Sequence, residues 1–459
     1  MISTCKNNFS LKLTIAFIIL ISNIFCTPTT RMENQETVND ANPSESETMN
    51  PEQSVNKTSD TSELIPSPIA PPPLYELALV TANGNIELMK GRGPDHFYST
   101  KRIASSGETR HTWPTWSVDG QKIVYSSIVK TPDSNLQMSL HLTDADGNMS
   151  QEVYKSEPTR KFPYLAPRTP HYVGWSPAGD QIAFLAAGDK NGLLSLLLVN
   201  VEGASRVQQI TQATNLYFRW DHRGQIILLH QNESLRIVDT NLILYPVQIG
   251  PSSQQYRTPD WGPQSHKITY IETSQLGNHL FVNEVGAIDK EPIMDINDSS
   301  AFLWSPDNEL LAIANLNNTD TSYSELYLFD PSDDSLYKLI DEPFVAFYWD
   351  PTAERIVYFV QTGLEDEVVV KVTDLANKRK RDLYSFVPTQ ELAVHLAYFD
   401  QFSTSHSLLS ADGNYLVVAG YPDHQRINQD PEIIMIDIVG SEKPTIIKNG
   451  RIAFFAPKK

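Results

Sequence analysis

Cysteine is nearly absent from this chain: two in 459 residues, Cys5 and Cys26, and none after residue 26. No disulfide can therefore staple the body of the protein, whatever the redox state of its compartment. A chain of this length buries enough apolar surface to do without one. Positive charge is scarce as well, with 36 Lys and Arg against 55 Asp and Glu and a formal net charge of −19. That balance argues against a nucleic-acid partner, whose phosphates need a basic face. It also argues against broad electrostatic docking on anionic lipid. Long helical periodicity is missing. So are the common catalytic signatures: the sequence has no Gly-x-Ser-x-Gly elbow, and no HExxH or CxxC. Asp144-Ala145-Asp146-Gly147-Asn148 opens like a calcium loop, but its twelfth position is Lys155 where a glutamate is required, so it reads as a hairpin turn.

What is present falls into three parts. Residues 1–26 carry Lys6 and Lys12 ahead of an apolar run from Leu13 to Phe25, broken by Thr14, Ser22 and Asn23. The run is short of the about 20 residues a membrane span needs and reads as a secretory signal peptide. An uncleaved membrane anchor is the alternative, because small cleavage-site residues are lacking. Cys26 matches a bacterial lipoprotein acceptor poorly, since Asn23, Ile24 and Phe25 precede it. Residues 27–73 are dominated by Ser, Thr, Asn, Glu and Pro and hold no aromatic side chain. Such a spacer cannot offset its ordering entropy by burial. Its last stretch, Pro66 to Pro73, favours extended polyproline II.

The third part, residues 74–459, is a repeat. A tryptophan, a polar turn and a short apolar strand recur at Trp116, Trp175, Trp220, Trp261, Trp304 and Trp349, and a degenerate copy lacks the tryptophan at Leu409. The anchors are 59, 45, 41, 43, 45 and 60 residues apart. A period of about 40–50 residues with several short strands per unit predicts an all-β protein, a single β-propeller of four-stranded antiparallel blades. Both ends hold leftovers. Glu76–Val80, Asn85–Met89 and Lys101–Ala104 read as three strands without a first one, and Ile452–Pro457 reads as a first strand without the other three. Joined, the N- and C-terminal strands close one blade and give eight blades; seven, with the ends packed as outer strands, is the alternative. Closure removes free sheet edges. Within the units, the tryptophans should pack between blades, and Asp119 and Asp307 should satisfy turn backbone groups.

Trp304-Ser305-Pro306-Asp307 and Trp175-Ser176-Pro177 resemble the WD-like repeats of TolB-type propellers, and the resemblance covers about residues 74–459. It implies the fold. It leaves function open, since the family includes periplasmic partner-binding proteins, propeller domains of serine peptidases and oligogalacturonate lyases. The α/β domain that precedes the propeller in TolB has no counterpart here, where the polar spacer stands in its place.

Candidate site residues lie just ahead of the anchors. His111, His171 and Arg257 precede Trp116, Trp175 and Trp261 by five, four and four residues, and His406 precedes Leu409 by three. First strands line a propeller's channel, so these side chains are candidates for its mouth. The related lyases hold a metal with channel histidines, which the resemblance would carry to this set. Strand alternation argues instead for scattered, hydrogen-bonded histidines, and no metal or cofactor is expected. The basic run Lys378-Arg379-Lys380-Arg381 reads as a solvated hairpin tip, with a docking patch for an acidic partner as the alternative. The loop aromatics Tyr98, Phe162, Tyr164, Phe399, Phe402 and Tyr421 are expected to pack rather than to bind. Together these features predict a propeller that is exported, periplasmic or extracellular, and held to the membrane only through its N-terminal segment. It would act as a non-enzymatic binding or scaffold module for a protein, peptide or glycan. The alternative is a polysaccharide lyase or hydrolase using channel His and Arg residues.

Overall fold

The computed structural model describes residues 74–457 apart from short loop segments, the longest being 159–169. The leader, the spacer, Phe162 and Tyr164 lie outside the described residues. Each repeat folds into four antiparallel strands, as its alternating apolar residues and turn signals dictate. The first sheet is Thr109–Trp116, Lys122–Lys130, Leu136–Asp144 and Ser150–Lys155, in that order. Four more four-stranded sheets follow, with first strands at Pro170–Trp175, Leu216–Trp220, Asp260–Trp261 and Ala301–Trp304. The remaining strands form one ten-stranded sheet, from Ala346–Trp349 to Tyr98–Ala104. This succession of small antiparallel sheets, each entered through its anchor strand, is a β-propeller.

The ten-stranded sheet contains the joint between the chain ends. Thr445–Phe455 serves two partners. Its first half pairs with Glu432–Asp437, and its second half pairs with Tyr75–Thr81, from Leu77↔Phe455 to Thr81↔Gly450. The pairing expected of the ends is thus present: one C-terminal strand beside three N-terminal ones. Leu77, Leu79, Ala453 and Phe455 share one buried cluster in this joint.

The turn after each anchor but Trp261, where Gly262 makes only the backbone bond, is built the same way. The residue after the tryptophan donates its backbone N–H across the turn, as in Ser117 to Lys122 O, 2.8 Å, and Ser305 to Leu310 O, 2.8 Å. Its side-chain oxygen accepts the return bond, from Lys122 N at 2.8 Å, Ile226 N at 2.8 Å and Arg355 N at 2.8 Å. Ser and Asp are short enough and carry the oxygen for this, which fits the Trp-Ser and Trp-Asp pairs. Asp119 and Asp307 do accept from turn backbone, from Gln121 N and Glu309 N. The fourth residue past the anchor has positive φ in every copy: Gly120, Gly179, Gly224, Ser265, Asn308, Ala353 and Gly413. At Gly224 a side chain would also strike the Ala178 backbone at 2.6 Å.

The anchors then bind the sheets to one another. The indole N–H of Trp175 donates to Thr115 O at 3.1 Å, that of Trp220 to Gly174 O at 3.3 Å and that of Trp261 to Arg219 O at 3.2 Å. Trp349 donates to Leu303 O at 3.1 Å, and Trp116 to Phe454 O at 3.3 Å. Each acceptor among residues 115, 174, 219 and 303 immediately precedes the previous anchor, so each tryptophan reads its neighbour's position. Trp304 departs from the pattern and uses Thr269 Oγ1, 2.8 Å.

The connection between Pro388 and the Leu409 unit is helical: α1 spans Gln390–Ala397 and α2 spans Phe399–Phe402. Pro388 closes the preceding strand, and Thr389 caps α1 by accepting from Leu392 N. Phe399 and Phe402 are buried, as packing aromatics would be, whereas Tyr98 is 59% exposed. The Asp144–Asn148 segment is a hairpin turn in which Asp144 accepts from Asn148 N. The basic run sits at an exposed strand junction, with Lys378 over the Tyr337 ring.

Two outcomes test this account. Ala353 pays for a left-handed conformation (φ 59°) that Gly adopts without a Cβ penalty. Ala353→Gly is therefore expected to raise the unfolding free energy by about 0.5–1 kcal/mol, read from the urea midpoint at unchanged slope. Deleting residues 450–459 should lower the melting temperature sharply, because it removes four buried apolar side chains and uncovers the Tyr75–Thr81 edge. An unchanged melting temperature would refute the closure.

Candidate functional site

The innermost strands of a propeller surround its axis, and in this protein α1 and α2 occupy it. Partners of the helical segment come from the first strands of sheet after sheet. Trp113 stacks on Phe402 with ring centroids 5.0 Å apart. Tyr172 donates to Gln401 O at 2.9 Å. Arg219 donates to Asp400 O and to Thr404 Oγ1, each at 2.6 Å. Phe347 packs on Phe399, and Phe454 packs on His395. A segment that touches strands on all sides of the ring lies along the axis, so the channel is filled by the protein's own chain.

Two arginines anchor this plug. Arg257 sits 3.0 Å from Asp400 Oδ1 and also donates to Ala397 O and to Tyr323 OH. Burial would lower the Arg257 pKa, but the Asp400 carboxylate together with Tyr323, Tyr217 and Tyr398 outweighs it and holds the guanidinium firmly charged. Asp400 Oδ1 nevertheless accepts no well-directed hydrogen bond, so the contact is Coulombic more than geometric. Arg219 pairs with Asp260 at 3.2 Å, where burial raises the carboxyl pKa against the pull of Arg219. Such pairs cost desolvation and fix geometry; breaking one partner is what destabilises.

His395 and His406 complete the core of the plug. His395 Nε2 lies 3.0 Å from His406 O, so it carries the proton, and Nδ1 accepts from Tyr348 OH at 2.9 Å. His406 Nε2 meets Thr115 Oγ1 at 2.7 Å and Nδ1 meets Ser405 Oγ at 2.7 Å. Burial pushes the His395 pKa down to about 4. Burial, and then the neighbouring His395, pushes His406 lower still than the usual histidine range. Both rings are neutral spacers of the core.

The four residues singled out from the sequence are placed as follows. Arg257 and His406 both serve the plug. His111 lies in the first sheet, bonded to Ser127 Oγ at 2.8 Å and Ser105 O at 3.1 Å, with its pKa lowered by burial. His171 is in the strand Pro170–Trp175, and its side chain lies outside the described residues. Among the described residues no group of three or more His, Cys, Asp or Glu could hold a metal ion. Sequence reasoning missed Asp400, Arg219, Tyr348, His395 and Trp113. A signal for the plug existed: the 60-residue gap before Leu409, a Pro388-Thr389 start, and apolar residues at 392, 396 and 399.

No known family pattern matches the sequence, and no curated protein matches it. Solved structures do resemble the fold. A eukaryotic initiation factor is 11% identical with a TM-score of 0.50, over 84% of this chain and 98% of that one. The dihydro-heme d1 dehydrogenase NirN, in complex with DHE, is 13% identical with a TM-score of 0.51, over 83% and 74%. TolB from Acinetobacter baumannii is 10% identical with a TM-score of 0.37, over 65% and 75%, which carries no argument about kinship. At these identities the likeness is one of fold, and the class it defines is the β-propeller. Among the described residues no helix is long and apolar enough to cross a membrane.

The histidines predict an acid response. A folded pKa of about 4 against an ordinary 6.5 means that His395 contributes no penalty above pH 6.5, where it is neutral in both states. As pH falls from 6.5 towards 4 the unfolded chain takes up a proton that the folded chain refuses. Stability should drop across that window by up to about 3 kcal/mol for His395 alone. Urea midpoints measured at about pH 7 and about pH 5 check this, with His395→Gln as the control; an equal loss in the variant would rule out the assignment.

Proposed function

We propose that this protein is an exported, envelope-tethered propeller of eight blades that acts as a non-enzymatic binding or scaffold module for a protein, peptide or glycan. The carrying observation is the filled channel. Arg257 and His406, half of the set a channel enzyme would use, spend their polar atoms on α1, α2, Tyr323, Thr115 and Ser405 rather than facing open space. Binding then falls to the rims and loops. The ten-stranded sheet supports the blade count when it is divided at Pro388 and Gly450, which yields three blades beside the five separate sheets. The leader and the polar spacer in the sequence support export and tethering, and the TolB-type reading rests on the repeat motif. The acidic net charge supports a partner other than nucleic acid.

The test is capture of partners from solubilised envelope by the full chain, tagged after Lys459 and identified by mass spectrometry. One dominant, saturable partner is expected. No partner, together with turnover of a polysaccharide that is lost in Arg257→Met, would overturn the reading in favour of a lyase or hydrolase.

A further inference from the structure

One rim of the ring carries two arginines, of which the plug engages only Arg451. Arg110 is the second residue of the strand Thr109–Trp116, and Arg451 is the bulged residue between Gly450 and Ile452 of the closing strand. Both side chains flank the turn at residues 82–85. Arg451 Nε donates to Ala82 O at 3.0 Å, and the Arg110 stem lies against Gly84, where an added side chain would touch it at 3.5 Å. Two further bonds secure the arrangement: His111 N donates to Gly84 O, and the Thr389 side chain donates from Oγ1 to Arg451 O at 2.7 Å. Tyr421, which ends the strand Tyr415–Tyr421, and Glu391 at the start of α1 lie within electrostatic reach of Arg451.

The charges there do not balance. Glu391 is buried and lies 3.5 Å from Arg451 Nη1. Arg110 is half-buried, and among the described residues none forms an ion pair or hydrogen bond with its guanidinium. Burial, and then the like charge of Arg451, hold the Arg110 pKa below the usual arginine value. Burial raises the Glu391 carboxyl against the opposing pull of Arg451, so that carboxylate is a reluctant counterion. Glu391 answers Arg451, and Asp430 is a second carboxylate felt at Tyr421, so Arg110 is the guanidinium left without a counterion among the described residues. A partly desolvated, unpaired guanidinium is costly unless an anion completes it, and its planar fork fits a carboxylate in bidentate fashion.

We propose that Arg110 and Arg451 form a carboxylate-binding subsite on the rim of the propeller, taking one monoanionic carboxylate of a ligand. One unpaired guanidinium matches a carboxylate better than a phosphate dianion. The inference deepens the binding reading above and rests on it. The two fail separately, since partner capture tests the module and a small probe tests the subsite.

The experiment is calorimetric titration of the full chain with N-acetylglycine, its neutral analogue N-acetylglycinamide, and inorganic phosphate. The expected result is binding of the acid, with the amide and phosphate markedly weaker. Arg110→Met should weaken the acid about tenfold to a hundredfold, the range of one charge-assisted hydrogen-bonded pair, at an unchanged melting temperature. Glu391→Gln removes the competing carboxylate and should tighten acid binding severalfold, which keeps the test decisive if Arg110→Met folds poorly. Equal binding of acid and amide, no binding of the acid at all, an Arg110→Met affinity equal to the parent's, or tighter binding of phosphate would each overturn the proposal.

Discussion

The indole hydrogen bond that each anchor tryptophan makes to its neighbour is the constraint on which the ring depends. A sheet by itself fixes only its own strands. The bond from Trp175 to Thr115 O, repeated at Trp220, Trp261 and Trp349, sets the position of each sheet against the one before it. The same bond from Trp116 reaches Phe454 O, so the last strand is held as though it were an ordinary anchor strand, with Phe455 in the tryptophan's place. Two units lack the indole, those at Leu409 and Phe455. There the backbone takes over. Val387 and Pro388 pair with Tyr421 and Gly420, and Thr445–Phe455 runs unbroken from one sheet into the next. The ten-stranded sheet thus occurs where the tryptophans run out.

Filling the axis follows from the same geometry. First strands that converge on a ring leave a tube lined by their side chains, and a tube of this kind must be wet, ligand-filled or plugged. Here the connection before Leu409 plugs it with aromatic and aliphatic residues, Phe399, Phe402, Leu392 and Leu396, all buried. Polar contacts from Arg219, Arg257, Tyr172 and Tyr348 fix it in register. The strained point is Trp113, which sits at φ 53° in a bulge before Pro114 and turns its ring onto Phe402. Strain of this kind persists only where surrounding contacts over-determine it.

The fold was legible in the sequence because the anchor is a large residue with a single role, repeated at nearly constant spacing. The turn chemistry was half legible. Asp119 and Asp307 read as backbone acceptors, whereas the more general role of the Ser or Asp directly after the tryptophan emerged only with the return bond to the next strand. The plug was hidden because its apolar residues span little more than two helical turns, too short for periodicity to stand out among strands. Arg257 and His406 were found by position, but their partners lie in another unit, and a pattern of local spacing carries no information about Asp400 or Thr115. Arg110 gave no signal at all, since what marks it is the absence of a counterion in three dimensions.

The joint between the chain ends bears on how the protein is made. Tyr75–Thr81 leaves the ribosome long before its partner Ile452–Phe455. Until that partner is made, the nascent chain carries one unsatisfied edge beside the apolar side chains of Leu77, Leu79 and Val80. Exposed edges of that kind recruit other chains. Holding factors that cover extended apolar segments should therefore be needed most at this N-terminal strand, and slow or interrupted synthesis should cost more soluble product than a lesion that acts on the finished ring.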